Sequence, residues 1–211
     1  MGWSNTERVV VVGAGMGGLA AAVDLARRGL EVTVCERAAT PGGKMRELDV
    51  AGAKVAAGPT VFTMRWIFEE LFADAGSALD DHLEVVPAAT LARHAWRQGG
   101  TLDLFADVER SADAIGAFAG ARDAAGFREF CARSADIYRT LQHSFIAAER
   151  PNPLSLVGRV GLSNLDAMLR TAPFQTMWSA LGAHFTDPRL RQLFGRYATY
   201  VGSSPWAAPA T

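Results

Sequence analysis

Val9, Val10, Val11 and Val12 form an unbroken β-branched run that ends at Gly13, and an alanine-rich stretch follows as far as Arg27-Arg28-Gly29. A second apolar run, Val32-Thr33-Val34-Cys35, closes on Glu36. Continuous apolar runs bounded by turn residues predict buried strands, and the basic last turn with a glycine behind it predicts a helix end. Apolar and polar residues then alternate over Met45–Val50 and Lys54–Ala57 around Ala51-Gly52-Ala53, which predicts a short hairpin. A helix capped by Thr63 is expected through Ala75, with Ile67, Phe68, Leu71, Phe72 and Ala75 on its core face and Gly76 as its stop. Leu83–Val86 reads as a short strand ended by Pro87. Leu91–Trp96 and Thr101–Phe105 read as a hairpin around Gln98-Gly99-Gly100. From Ser111 the pattern is helical. One short helix starts there and a long one covers 122–148, with Phe127, Phe130, Ile137, Tyr138, Leu141 and Phe145 as its stripe. Pro151-Asn152-Pro153 breaks it, an apolar segment covers 154–162, and helices are expected near 164–171 and 173–184. The last helix begins at Asp187 with Pro188 in its first position.

The first strand and helix carry chemistry. Gly13-Ala14-Gly15-Met16-Gly17-Gly18 is a Gly-x-Gly-x-x-Gly that follows a strand, opens a helix and has an acid, Glu36, about 20 residues on. Gly13 permits a sharp turn, Gly15 lets a pyrophosphate approach the backbone, and Gly18 allows the helix to pack close to the strand. The helix N-terminus offers free N–H groups and partial positive charge to phosphates. Glu36 can accept hydrogen bonds from a ribose diol and would repel a 2′-phosphate. The fold class expected is α/β: a Rossmann-like dinucleotide-binding βαβ unit in residues 1–80, then part of an α+β domain in 81–211 with an antiparallel hairpin followed by helices.

The glycine loop alone does not separate NAD from FAD. Pro41-Gly42-Gly43 would bring backbone close to whatever Glu36 holds, and Lys44 supplies a phosphate-seeking cation. Gly58-Pro59-Thr60 is a rigid bend after a strand, suited to carrying backbone past a flat ring. The competing readings are a plain surface turn for the first and a strand terminator for the second.

Composition narrows the function classes. The chain has 211 residues, 49% of them hydrophobic, and a formal net charge of −1, so no basic surplus points to nucleic acid. Its two cysteines, Cys35 and Cys131, make no disulfide framework, and Cys35 is expected as a packed thiol at a strand end. A reducing cytosol fits. No run approaches about 18 consecutive apolar residues, the length of a membrane span, and the glycine-broken N-terminal run does not read as a signal peptide. The four histidines show no metal-ligand spacing. His94 falls in the middle of a predicted strand, where a lone histidine is more often structural than catalytic.

Gly13-x-Gly15-x-x-Gly18, Glu36, Gly42-Gly43-Lys44 and Gly58-Pro59-Thr60, in that order, resemble the amine-oxidase-like flavoproteins and, within them, the carotenoid (phytoene) desaturases. The segment from Asp187 to Pro209 resembles the helix and loop of bacterial members. Phe62–Trp66 and Leu91–Trp96 look like the branch acting on 1-hydroxy or 1-methoxy carotenoids, called methoxyneurosporene dehydrogenase or hydroxycarotenoid 3,4-desaturase. The resemblance implies FAD as cofactor, a lipophilic carotenoid as substrate, and a cytoplasmic protein touching the inner membrane peripherally. It adds Arg37, Gly43, Lys44, Gly58, Pro59 and Thr60 to Gly13, Gly15, Gly18 and Glu36 as cofactor residues. No residue is singled out as catalytic, since a flavin would supply the electron sink. Such desaturases are much longer and carry a second glycine-containing flavin motif, so the chain reads as an N-terminal portion, truncated relative to the family, with open strand edges. Three alternatives stay open: a phytoene desaturase or other flavin oxidoreductase of the superfamily, an inactive FAD-binding fragment, and a nicotinamide dehydrogenase. The oligomeric state is not indicated.

Overall fold

The computed structural model describes residues 7–59, 61–147 and 175–210. The chain divides into two compact units, residues 1–86 and 87–211.

The first unit starts with β1 (Arg8–Val12), the crossover helix α1 (Met16–Arg27) and β2 (Glu31–Cys35). β1 and β2 pair in parallel, Arg8 opposite Glu31 through Val12 opposite Cys35. α1 ends as its sequence dictates. Gly29 takes φ +87°, its N–H donates to Ala26 O at 2.9 Å, and Leu30 N–H donates to Leu25 O at 3.3 Å, the paired bonds of a Schellman cap. β3 (Glu47–Val50) and β4 (Ala53–Ala56) form the expected hairpin. Its loop has only two residues, Ala51 and Gly52, both at positive φ, because Ala53 already pairs with Val50. α2 (Arg65–Asp74) is entered through left-handed Met64, which has no side-chain cap bond, so the expected Thr63 cap is not made: the hydroxyl stands one residue too early. The helix closes on Gly76 with the same paired bonds as α1, Gly76 N–H to Ala73 O and Ser77 N–H to Phe72 O.

Among the described residues of this unit only Ala14 and Leu79 are buried. The buried β1 and β2 expected from the sequence are instead open: Val10 is 62% and Val12 86% exposed, and Cys35 is an exposed thiol rather than a packed one. The parallel sheet has two strands among the described residues, so its apolar side chains have no facing layer on most sides. The α2 stripe is likewise only half-covered, with Ile67 39% exposed. Leu83–Val86 forms no strand, because no described segment pairs with it.

The second unit opens on β5 (Thr90–Ala95) and β6 (Thr101–Phe105), an antiparallel pair with an irregularity between Thr90 and Ala92. α3 (Val108–Ala119) begins before the expected Ser111, because Asp107 Oδ1 accepts from Arg110 N–H at 2.7 Å and caps it. Ser111 instead joins two elements. Its buried hydroxyl donates to Phe105 O and accepts from Phe105 N–H, stapling α3 to β6. α4 (Ala121–Leu141) ends earlier than 148 and passes into a wider turn over Gln142–Ile146. Its stripe leaves the core at Tyr138 and Phe145, which are exposed. α5 (Met177–His184) and α6 (Pro188–Gly195) follow, α6 capped by Asp187 with Pro188 in its first turn as expected. The segments at 154–162 and 164–171 lie outside the described residues.

This unit has a core. Leu102 and Leu104 of β6 meet Ile115, Phe127, Leu181, Phe185, Leu190, Leu193 and Phe194. Phe194 stacks on Phe185 at a centroid distance of 4.8 Å and on Phe127 at 5.6 Å. The buried Asp123 carboxylate accepts from the Thr186 N–H at 2.6 Å and from its hydroxyl, tying α4 to the α5–α6 corner.

A candidate dinucleotide site

The site is built from backbone. Gly13 leaves β1 at φ +102°, and its N–H donates to Cys35 O at 2.7 Å, so the turn starts as an extension of the ladder. A side chain there would meet open space, and the requirement for glycine is conformational. At Gly18 the requirement is spatial: a Cβ would stand 1.9 Å from Gly13 O and 3.5 Å from the Val11 side chain. The third glycine therefore lets α1 lie against β1.

Gly15 differs from both. It is the N-cap of α1 at φ −75°, where any residue is at ease, and a Cβ would find only Gly43 Cα, at 3.9 Å. Among the described residues nothing forbids a side chain there, so the requirement for glycine at this position is neither conformational nor a matter of packing. No side chain caps α1 and no acid sits in its first turn. Its first N–H groups keep their partial positive charge, which suits a pyrophosphate.

The Pro41-Gly42-Gly43 turn folds onto this loop. Gly42 N–H donates to Ala14 O at 2.8 Å, and Gly15 and Gly42 form an isolated parallel bridge. A Cβ on Gly43 would lie 3.0 Å from Gly15 Cα, and one on Gly42 would lie 2.4 Å from Met45 O. The end of β4 closes over the next residue, since a Cβ on Gly58 would lie 2.0 Å from Lys44 O. Gly13, Gly15, Gly18, Gly43, Lys44 and Gly58 are thus linked by direct backbone approach. Lys44, Arg37 and Pro59 are exposed, and Thr60 lies outside the described residues.

Glu36 reaches the loop through its carboxylate: Oε2 accepts from Ala14 N–H at 2.7 Å and Oε1 from Ala38 N–H at 2.8 Å. The Ala38 N–H first, and the Ala14 N–H after it, hold its pKa below the usual carboxylate range. The arrangement brings together an uncapped helix N-terminus, a carboxylate favoured in its ionised form and a platform of glycine backbone, the kinds of group that could receive a dinucleotide.

Sequence reasoning passed over Ala14 and Ala38. Ala14 is 3% exposed, with its N–H held by Glu36 and its carbonyl by Gly42. Its side chain gives no sign of this, because both bonds are made by the backbone.

Residues 11–74 match the family model described as an NAD(P)-binding Rossmann-like domain. The chain is similar to a hydroxyneurosporene desaturase of Rubrivivax gelatinosus, 54% identical over 208 residues, 98% of this chain and 40% of that protein. A hydroxyneurosporene desaturase of Cereibacter sphaeroides is 48% identical over 202 residues, 96% of this chain and 41% of that protein. A phytoene dehydrogenase of Streptomyces griseus is 37% identical over 204 residues, 97% of this chain and 39% of that protein. The chain spans about two fifths of the length of these curated relatives.

Proposed function

We propose, for a chain that belongs with the N-terminal portion of the carotenoid desaturase family, that its glycine loop holds the ADP half of FAD in an enzyme that desaturates 1-hydroxy or 1-methoxy carotenoids. The observation that carries this reading is the 48–54% identity to the two hydroxyneurosporene desaturases across nearly all of the chain. FAD would supply the electron sink for removing a hydride and a proton from neighbouring carbons.

The residues of this chain bind and orient. The first turn of α1, beside Gly15, would hold the pyrophosphate, and Glu36 would accept from the adenosine ribose. The Gly42-Gly43 turn walls the loop, while Arg37, Lys44, Pro59 and Thr60 complete the cofactor set. A carotenoid partitions into lipid, so the enzyme works in the cytoplasm against the inner membrane. No described helix is long and apolar enough to cross a membrane.

A nicotinamide dinucleotide is the second reading, favoured by the description of the family model. In that case the ionised Glu36 would exclude NADP and select NAD. The deciding experiment is the visible absorption spectrum of the purified chain, beside Gly15→Val. A flavin spectrum that disappears in Gly15→Val, with helical circular dichroism retained, is the expected result. Normal flavin content in the variant would overturn the assignment of the loop. NAD binding without flavin would move the second reading forward.

A further inference from the structure

We propose that Glu36 is a positioning residue as well as a ribose acceptor: in the ligand-free protein its carboxylate clamps the β1–α1 turn in the shape that receives a dinucleotide. The ribose-acceptor half of this statement rests on the function proposed above; the clamp rests on geometry alone.

The turn is built around Ala14, and each of its backbone groups is held from outside the turn. Gly42 N–H donates to the carbonyl at 2.8 Å, and Glu36 Oε2 accepts from the N–H at 2.7 Å, across 22 positions of sequence. Glu36 Oε1 accepts from Ala38 N–H at 2.8 Å, so one side chain ties the end of β1 to the segment that follows β2. An ionised carboxylate suits this double grip, because both oxygens accept and both partners are N–H donors. A glutamine would present one acceptor and one donor, and its donor would face a backbone N–H. An aspartate would be one methylene short.

The clamp does not exhaust the group. A carboxylate has about four acceptor sites, and Glu36 spends two on the backbone while its side chain stays exposed. With the Arg37 N–H also drawn to the carboxylate, the acceptor capacity left over is open to a ribose hydroxyl. A residue whose sole work was the diol would have no need to grip the loop beforehand. Gripping it lowers the ordering cost of binding, because the loop is already in place.

Two nucleotides separate the roles. ADP offers the diol and 2′,3′-dideoxy-ADP does not, so with the second no hydroxyl bond to Glu36 is at stake; loss of the carboxylate's charge by itself favours an anionic nucleotide, and weaker binding must then come through the loop. In calorimetric titrations of the full chain, Glu36→Gln should bind 2′,3′-dideoxy-ADP at least about threefold more weakly than the unsubstituted protein. Equal or tighter binding would overturn the clamp. A second readout needs no ligand. Amide exchange at Ala14 or Ala38 should quicken by about tenfold in Glu36→Gln, the value of one lost hydrogen bond. Unchanged exchange at both amides would overturn the clamp even where nucleotides bind. Conversely, an unsubstituted protein that binds neither nucleotide, yet loses amide protection in Glu36→Gln, would sink the dinucleotide reading and leave the clamp standing. If Glu36→Gln does not fold, Glu36→Asp carries the same test: its shorter reach should free one of the two amides, and protection retained at both overturns the proposal.

Discussion

The two units of this chain are held by different means. Among the described residues of 87–211, ten buried side chains, three of them phenylalanines, pack together as a core. Residues 1–86 bury two apolar side chains among those described, Ala14 and Leu79, and leave Val12 86% exposed. What organises the first unit is backbone: a parallel ladder, paired C-terminal caps on both helices, glycine contacts, and one carboxylate holding a turn. The lesson is that a candidate site can be sharply shaped where burial is slight, since close backbone approach and hydrogen bonds fix geometry without much apolar area. Stability and site precision live in different parts of the molecule.

Replacements of one type should therefore behave differently in the two units. Phe194→Ala removes the ring shared by Phe127, Phe130 and Phe185. It should cost about 3–5 kcal/mol in denaturant unfolding of the second unit. Asp123→Ala leaves the Thr186 N–H and hydroxyl without their acceptor. A loss of about 2 kcal/mol is expected by the same measurement.

A pH series sharpens the contrast. His94 and His184, both in the second unit, are held below the ordinary value of 6.5, in each case by burial first and by a nearby arginine second. A base with a lowered folded pKa binds protons more readily when unfolded. Its stabilising contribution is present above the unfolded value and is lost as pH falls through about 6.5. Midpoints should fall between about pH 7.5 and 5.5, and the double variant His94→Gln/His184→Gln should flatten the slope. The smallest effect is expected in the first unit. Val12→Thr should change stability by less than about 0.5 kcal/mol, because the side chain has little burial to lose. A loss comparable to that of Phe194→Ala would break the comparison.

Local signals carried much of the fold. The β-branched run, the glycine spacing and Arg27-Arg28-Gly29 gave the β1–α1–β2 order and the first helix end, and Asp187-Pro188 gave the start of α6. Periodicity was less informative about what faces what. Val9–Val12 and Cys35 have the look of a buried strand, but burial depends on a facing layer, which no local window contains. Ser111 looked like a helix start because serine caps helices; Asp107 took that position, and the hydroxyl was used across to Phe105. Asp123 gave no signal, since its partner lies 63 residues away. At the candidate site, the positive φ of Gly13 and the close packing at Gly18 were legible from the glycine spacing, whereas the grip of Glu36 on the Ala14 and Ala38 N–H groups was not. Nor was Ala14, because its part is played by backbone atoms that every residue shares.

Hydrogen exchange followed by mass spectrometry, with and without FAD, tests the central claim most directly. FAD should slow exchange in peptides covering residues 9–18 and 36–44 and leave those covering 102–115 and 190–198 unchanged, and at equal ligand concentration NAD, which shares only the ADP half, should slow it less. Protection by NAD equal to or greater than that by FAD at the same concentration, or no protection of the glycine loop by FAD, would contradict the account.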